Sequence, residues 1–156
     1  MVVVADTSPL NYLVLIGQVE LLKKLYTRIL IPPAVLAELK HPLAPNAVRN
    51  WAGSAPEWVE VSSPKHSLIL PQLDLGESQA IALATEMHAE VVLIDEQAGR
   101  KEALQRGLRV AGTLSVLDEA DRAGLVLFDD AVAQLQKTTF RLSQTVLSEI
   151  RKKRFR

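Results

Sequence analysis

Asp6 and Asp95 each follow directly on a short, wholly apolar run, Val2–Ala5 in one case and Val91–Ile94 in the other. Such runs are the mark of strands covered on both faces, and parallel sheets place their ligands at the carboxyl ends of their strands. A carboxylate there lies against apolar surface, where desolvation disfavours its charge. Glu77 opens a helical stretch and Glu38 lies near the end of another, which brings two more acids into question. Carboxylates gathered within a few ångströms repel by about 4 kcal/mol per close pair at an effective dielectric of 20, and a cation is the usual remedy. There is no cysteine, and His41, His66 and His88 are scattered without HxH or HxxxH spacing. An all-oxygen donor set suits Mg²⁺ or Mn²⁺, which keep several waters and accept phosphate oxygens. The chemistry that follows is metal-assisted hydrolysis of a phosphodiester.

Each acid also has a local use. Asp6 has the placement to bond the amides near Ser8 and cap the next helix. Asp74 and Glu77 stand at the spacing of a capping box, with Asp74 as N-cap and Glu77 three residues on. Glu38 sits where the helix macrodipole disfavours negative charge, beside Leu36 and Leu39 at the margin of a buried face, or else as a solvated surface residue. Capping and a shared site are compatible, because a first-turn carboxylate can still point across a sheet edge.

The elements that must position these acids alternate along the chain. Apolar runs at 2–5, 28–31 and 91–94, an alternating stretch at 57–61 and a short run at 108–110 read as strands. Between them fall helices from Ser8-Pro9 to Gly17, with Ser8 as N-cap, and then over 19–26, 33–39 and 46–51. Further helices are expected over 77–87, 97–106, 113–122 (capped by Thr113), 129–138 and 143–153. Residues 62–73, with Pro64 and Pro71, read as a loop. Strands alternating with helices predict a three-layer α/β/α domain around a mainly parallel sheet of four or five strands.

The composition agrees with that class. The 156 residues suit one domain, and 48% apolar with 23% charged residues excludes a disordered chain. Aromatics are only 4%, so the core is aliphatic; Trp51 and Trp58 are expected to close its edge rather than to stack on bases. The net charge of zero hides an asymmetry: residues 141–156 sum to +5 and the remainder to −5. The basic tail reads either as a solvated helix end or as a contact for something anionic. Leu10–Ile16 is interrupted by Asn11, falls far short of the ~20 residues of a membrane span, and follows Asp6 instead of a basic segment. No membrane association and a cytoplasmic location are expected.

Four segments carry the acids: Val3-Val4-Ala5-Asp6-Thr7-Ser8-Pro9-Leu10, Ala34-Val35-Leu36-Ala37-Glu38-Leu39, Leu75-Gly76-Glu77-Ser78-Gln79-Ala80-Ile81-Ala82-Leu83-Ala84, and Leu93-Ile94-Asp95-Glu96 with Gly99-Arg100. Together they resemble the PIN-domain family of metal-dependent ribonucleases, which includes the toxins of VapBC-type toxin–antitoxin pairs. The resemblance spans about residues 1–125, and residues 126–156 look like the helical extension of one prokaryotic branch. It implies a divalent-metal-dependent endoribonuclease with Asp6, Glu38, Glu77 and Asp95 around one or two Mg²⁺ or Mn²⁺ ions. Asp6 and Asp95 would be the firmest ligands, Glu77 would complete the cluster, and Glu38 would orient water or a second ion. Thr7 or Ser8 would hold the Asp6 carboxylate, and Arg100 would meet the scissile phosphate. An RNA substrate, a homodimer and an antitoxin that lays a helix in an apolar groove belong to the same implication.

The chain departs from the family pattern twice. Many members carry Asp where Glu77 stands, and many carry Thr or Ser where Ile94 stands. The pair Asp95-Glu96 also leaves two candidates for the fourth acid; Asp95 directly ends the strand, and Glu96 is the outer alternative. Two other readings compete. A catalytically silent PIN-like scaffold would bind without cutting. An aspartate-based phosphatase would need a second Asp two residues after its nucleophile, where this chain has Ser8.

Overall fold

A computed structural model describes residues 1–66 and 68–154. Ser67, which falls within the expected loop 62–73, and Arg156 of the basic tail lie outside the described residues. Five strands form one sheet: β1 (Val3–Ala5), β2 (Ile29–Ile31), β3 (Val59–Val61), β4 (Val91–Leu93) and β5 (Val110–Ala111). All neighbours are parallel, in the order β3-β2-β1-β4-β5. The sequence reverses direction between β1 and β4, and the crevice at the carboxyl ends of such a strand pair is where α/β sheets bind ligands. Asp6 stands at the end of β1, and its amide continues the ladder to the Leu93 carbonyl at 2.9 Å.

Alternation along the strands sorts the core into two layers. Val3, Ala5, Ile29, Ile31, Leu93 and Ala111 face one side. There they meet α1 (Thr7–Leu15), α2 (Glu20–Tyr26), α3 (Pro33–Leu39), α4 (Asn46–Gly53) and α7 (Thr113–Arg122). Val4, Leu30, Val92 and Ile94 face the other side, against α5 (Leu75–Glu86) and α6 (Gln97–Gln105). The result is the three-layer α/β/α sandwich. Two further helices, α8 (Phe128–Leu135) and α9 (Gln144–Arg154), join the first layer by packing on α7.

Several boundaries shift for identifiable reasons. The first helix begins at Thr7, so its N-cap is Asp6 and not Ser8. Thr113 is the first residue of α7, with Gly112 at the N-cap. The expected strand 108–110 starts two residues later and ends one later, at Val110–Ala111, because pairing with β4 decides which residues join the ladder. The helix expected from Glu77 starts at Leu75, and Asp74 caps it in the full box: Glu77 N–H donates to Asp74 at 2.8 Å and Asp74 N–H to Glu77 at 3.1 Å.

Trp51 and Trp58 do close the core edge, with ring centroids 6.2 Å apart. The basic tail is not simply solvated. Arg154 pairs with Asp118 at 2.9 Å and Asp121 at 3.2 Å, and its guanidinium lies 4.5 Å from the Phe128 ring centroid. That anchors the end of α9 onto α7 and α8, while Arg151, Lys152 and Lys153 stay exposed.

Candidate active site

The acids expected from the sequence arrive at the β1–β4 crevice by different routes. Asp6 is carried there by β1 and is only 4% exposed. As the α1 N-cap it makes no side-chain capping bond, and its Oδ1 is buried without a hydrogen-bond partner among the described residues. Burial pushes its carboxyl well above the usual carboxylate range. The Thr7 amide opposes that shift, and Asp74, Glu77 and Glu38 add to it. A buried, unpartnered carboxylate oxygen is costly to leave alone.

Glu38 approaches from α3, opened by Pro33. Its Oε2 accepts the Thr7 hydroxyl, so the Thr7 side chain serves Glu38 while the Thr7 amide holds Asp6, in line with the amide bond that the resemblance implied. Gly76 makes room for Glu38: a Cβ on that residue would lie 2.6 Å from Glu38 Oε1. Burial raises the Glu38 carboxyl, against the lowering influence of Thr7 and of the Gly76 amide. Oxygens of Asp6, Glu38 and Asp74 all lie within 4.8 Å of one another. Asp74, expected as a cap in support of Glu77, is therefore both a cap and part of the acidic group.

Glu77 is 6% exposed. Its Oε1 completes the capping box, and its Oε2 is buried without a partner. Burial raises its carboxyl to about 7, with further pressure from Asp74 and Glu96. Gly99 permits its approach, since a Cβ there would come within 3.0 Å of Glu77 Oε2. Glu96 itself is exposed at the N-cap of α6 and makes no side-chain cap bond.

Asp95 lies one residue beyond Ile94 and is held differently. It accepts Ser8 Oγ at 2.8 Å, Thr113 N at 2.7 Å and Thr113 Oγ1 at 2.7 Å. Ser8 thus serves Asp95 and not Asp6. Arg100 is adjacent: its Nη1 and Asp95 Oδ1 both come within 2.8 Å of the point that a Gly112 Cβ would occupy. Among the described residues Asp95 does not join Asp6, Glu38 and Asp74 in their mutual 4.8 Å group. Strand parity accounts for this. Asp6 continues the face of Val4, toward α5, whereas Asp95 continues that of Leu93, toward α1 and α7.

Thr113 was missed by the sequence reading. It supplies at the next strand end the hydroxyl that Ile94 lacks, and the only signal for it is a Gly-Thr pair following an apolar strand. Gly76, Gly99 and Gly112 were also missed as site residues. Each sits where a carboxylate passes too close for a side chain.

A family model described as a PIN domain (DUF3368) matches residues 2–154. The chain belongs to the PIN-domain family. A PilT N-terminus domain protein from the hyperthermophilic archaeon Sulfolobus solfataricus P2 has the same fold as this PIN domain. The TM-score is 0.53 at 14% identity, covering 92% of this chain and 100% of that one. At that identity the likeness concerns fold alone. No curated protein matches the chain. PIN domains are generally nucleases that use divalent metal, and this one presents an acidic group at the crevice of its sheet. The group fits a hard cation on its own terms. All its donors are oxygens, and among the described residues Asp6 Oδ1 in the group and Glu77 Oε2 beside it are buried acceptors without a hydrogen-bond partner.

Proposed function

We propose that this PIN domain is a Mg²⁺- or Mn²⁺-dependent endoribonuclease, acting as the toxin of a VapBC-like toxin–antitoxin pair. The observation that carries the nuclease reading is the unpartnered, buried Oδ1 of Asp6, with Glu38 and Asp74 oxygens within 4.8 Å, at the sheet crevice. In this reading Asp6, Glu38 and Asp74 would hold the ion, and Glu77 and Asp95 complete the acidic centre. A bound ion supplies charge to draw in a phosphodiester, lowers the pKa of water and offsets charge on the leaving oxygen.

The chain's own residues set the geometry. Thr7 orients Glu38 through its hydroxyl, Ser8 and Thr113 fix Asp95, and Arg100, beside Asp95, binds the scissile phosphate. The toxin role rests on family membership and on the order of the four acidic motifs. It brings with it an antitoxin partner, a homodimer and a cytoplasmic location. The same reading treats about residues 1–125 as the catalytic core of one domain and 126–156 as its extension. Among the described residues no helix is long and apolar enough to cross a membrane, which is compatible with a cytoplasmic site of action.

The test is cleavage of structured RNA with Mn²⁺, with EDTA and Asp6→Asn as controls. Cleavage that needs the ion and is lost in Asp6→Asn supports the proposal. Cleavage that survives both controls overturns it. No cleavage of any RNA, with Mn²⁺ still bound, would favour the silent scaffold.

A further inference from the structure

A cleft of about 670 Å³ opens beside the acidic centre, and that centre does not account for it. Ser8 and Asp95 belong to both. One wall comes from α1 and the starts of α6 and α7. The other is residues 139–146, the chain that leads from α8 into α9. Its size falls within the roughly 300–1,000 Å³ of ordinary ligand sites.

Three features of this cleft match one kind of occupant. Arg100 and Arg141 both line it, and among the described residues neither forms an ion pair. Tyr12 and Phe140 meet across it edge to face, with centroids 5.0 Å apart at 77°. The Tyr12 hydroxyl is bonded to Thr139 at 3.0 Å, which ties the two walls together, and both rings are only partly buried. Most of the remaining lining is polar, with five hydroxyl-bearing residues beside Asp95, Glu96 and Gln97, so the cleft is not the apolar groove that a partner helix would need.

From this we infer that the cleft seats the single-stranded RNA flanking the cut, with Arg100 and Arg141 on phosphates and the Tyr12–Phe140 pair against a base. This rests on the RNA-hydrolysing reading and deepens it. Unpaired guanidiniums recognise phosphate through charge and paired N–H donors. Base–aromatic contact adds affinity without requiring a particular sequence. The acidic centre alone repels a polyanion, so positive charge has to come from its flank, and Arg141 is the contribution of the C-terminal extension. The 126–156 segment would then be part of the substrate site and not only a brace for α7.

The experiment measures binding of a short, labelled single-stranded oligoribonucleotide by anisotropy across a salt series in EDTA, alongside Mn²⁺-dependent cleavage by the same proteins. Arg141 is exposed, so Arg141→Gln should keep the wild-type melting temperature. It should bind several-fold more weakly and lose about 0.7 from the log–log salt slope. Arg141→Lys should restore most of that slope. Phe140→Leu should weaken binding with the slope unchanged. In turnover, Arg141→Gln should raise KM and leave kcat nearly intact, as expected for a residue that binds ground and transition states alike.

An Arg100→Gln, Arg141→Gln double variant that binds RNA with wild-type affinity and slope overturns the inference, as does wild-type protein that binds no RNA at all. If the double variant binds normally while Mn²⁺-dependent cleavage persists, the nuclease reading stands without this cleft. If binding depends on Arg141 and no cleavage is ever seen, the cleft stands and the nuclease reading falls.

Discussion

Thr113 gives both its amide and its hydroxyl to Asp95, each at 2.7 Å. The pair bridges β4 and the start of α7, so one residue fixes where the fourth acid points. Thr113 is fully buried, and Thr113→Val keeps its shape while removing one donor to a carboxylate. Loss of such a bond typically costs about 1.5–3 kcal/mol. Urea denaturation should show a loss in that range, and RNA cleavage should fall by at least tenfold. Thr113→Ser should retain most of both, and a Val variant as active as wild type would remove Asp95 from the mechanism.

The Glu38–Gly76 contact predicts opposite effects on fold and function. Alanine at a helical glycine usually stabilises by up to about 1 kcal/mol, but a Cβ at Gly76 would lie 2.6 Å from Glu38 Oε1 and displace that carboxylate. Gly76→Ala should therefore melt at or above the wild-type temperature while binding Mn²⁺ and cleaving RNA at least tenfold less well. Calorimetric titration with Mn²⁺ checks the first loss. Unchanged Mn²⁺ affinity would mean that Glu38 is not in the ion seat.

The acidic centre should make metal-free protein less stable as pH rises. Burial raises the carboxyls of Asp6, Glu38 and Glu77 in the folded state, Glu77 to about 7. The folded chain thus binds more protons than the unfolded one above the ordinary carboxylate range. The associated stability is present in full below that range and is lost as pH rises through the raised folded-state values, which for Glu77 is about 7. Thermal melts in EDTA should show Tm falling by several degrees between pH 5 and 8. Mn²⁺ should restore most of the loss at pH 8, and Asp6→Asn should flatten the dependence. A Tm in EDTA that rises over that interval would contradict this account.

Arg154 supplies a prediction about stability alone. Asp118 is largely buried and pairs with Arg154 at 2.9 Å and with the more exposed Arg122 at 3.3 Å. Arg154→Ala would strip the better partner from a nearly buried carboxylate and remove the guanidinium from the Phe128 ring. A cost of about 1–3 kcal/mol is expected in chemical denaturation, part of it recovered in Arg154→Lys. A loss below about 0.5 kcal/mol would mean that the end of α9 is only loosely held.

Much of this protein is written in local pattern. Apolar runs ended by Asp6 and by Asp95, and the Asp74–Glu77 capping spacing, are short-range features. Strand ends and helix starts depend on residues a few positions apart, so these elements were readable to within a residue or two. That Asp6 lies near Glu38 and Glu77 was implied by the family resemblance and not by any strand end, since Glu38 and Glu77 are carried on α3 and α5.

Lateral order and side-chain partnership are long-range outcomes, and no spacing encodes them. That β1 lies between β2 and β4 follows from which apolar faces pack, and it alone puts Asp6 at the crevice. The same packing turns Thr7 to Glu38 and Ser8 to Asp95, and brings Asp74 from its cap into the acidic group. It also lays residues 139–146 against α1, so that Arg141 shares a cleft with Arg100. Such contacts join residues tens of positions apart, and only the closed hydrophobic core sets how near they come.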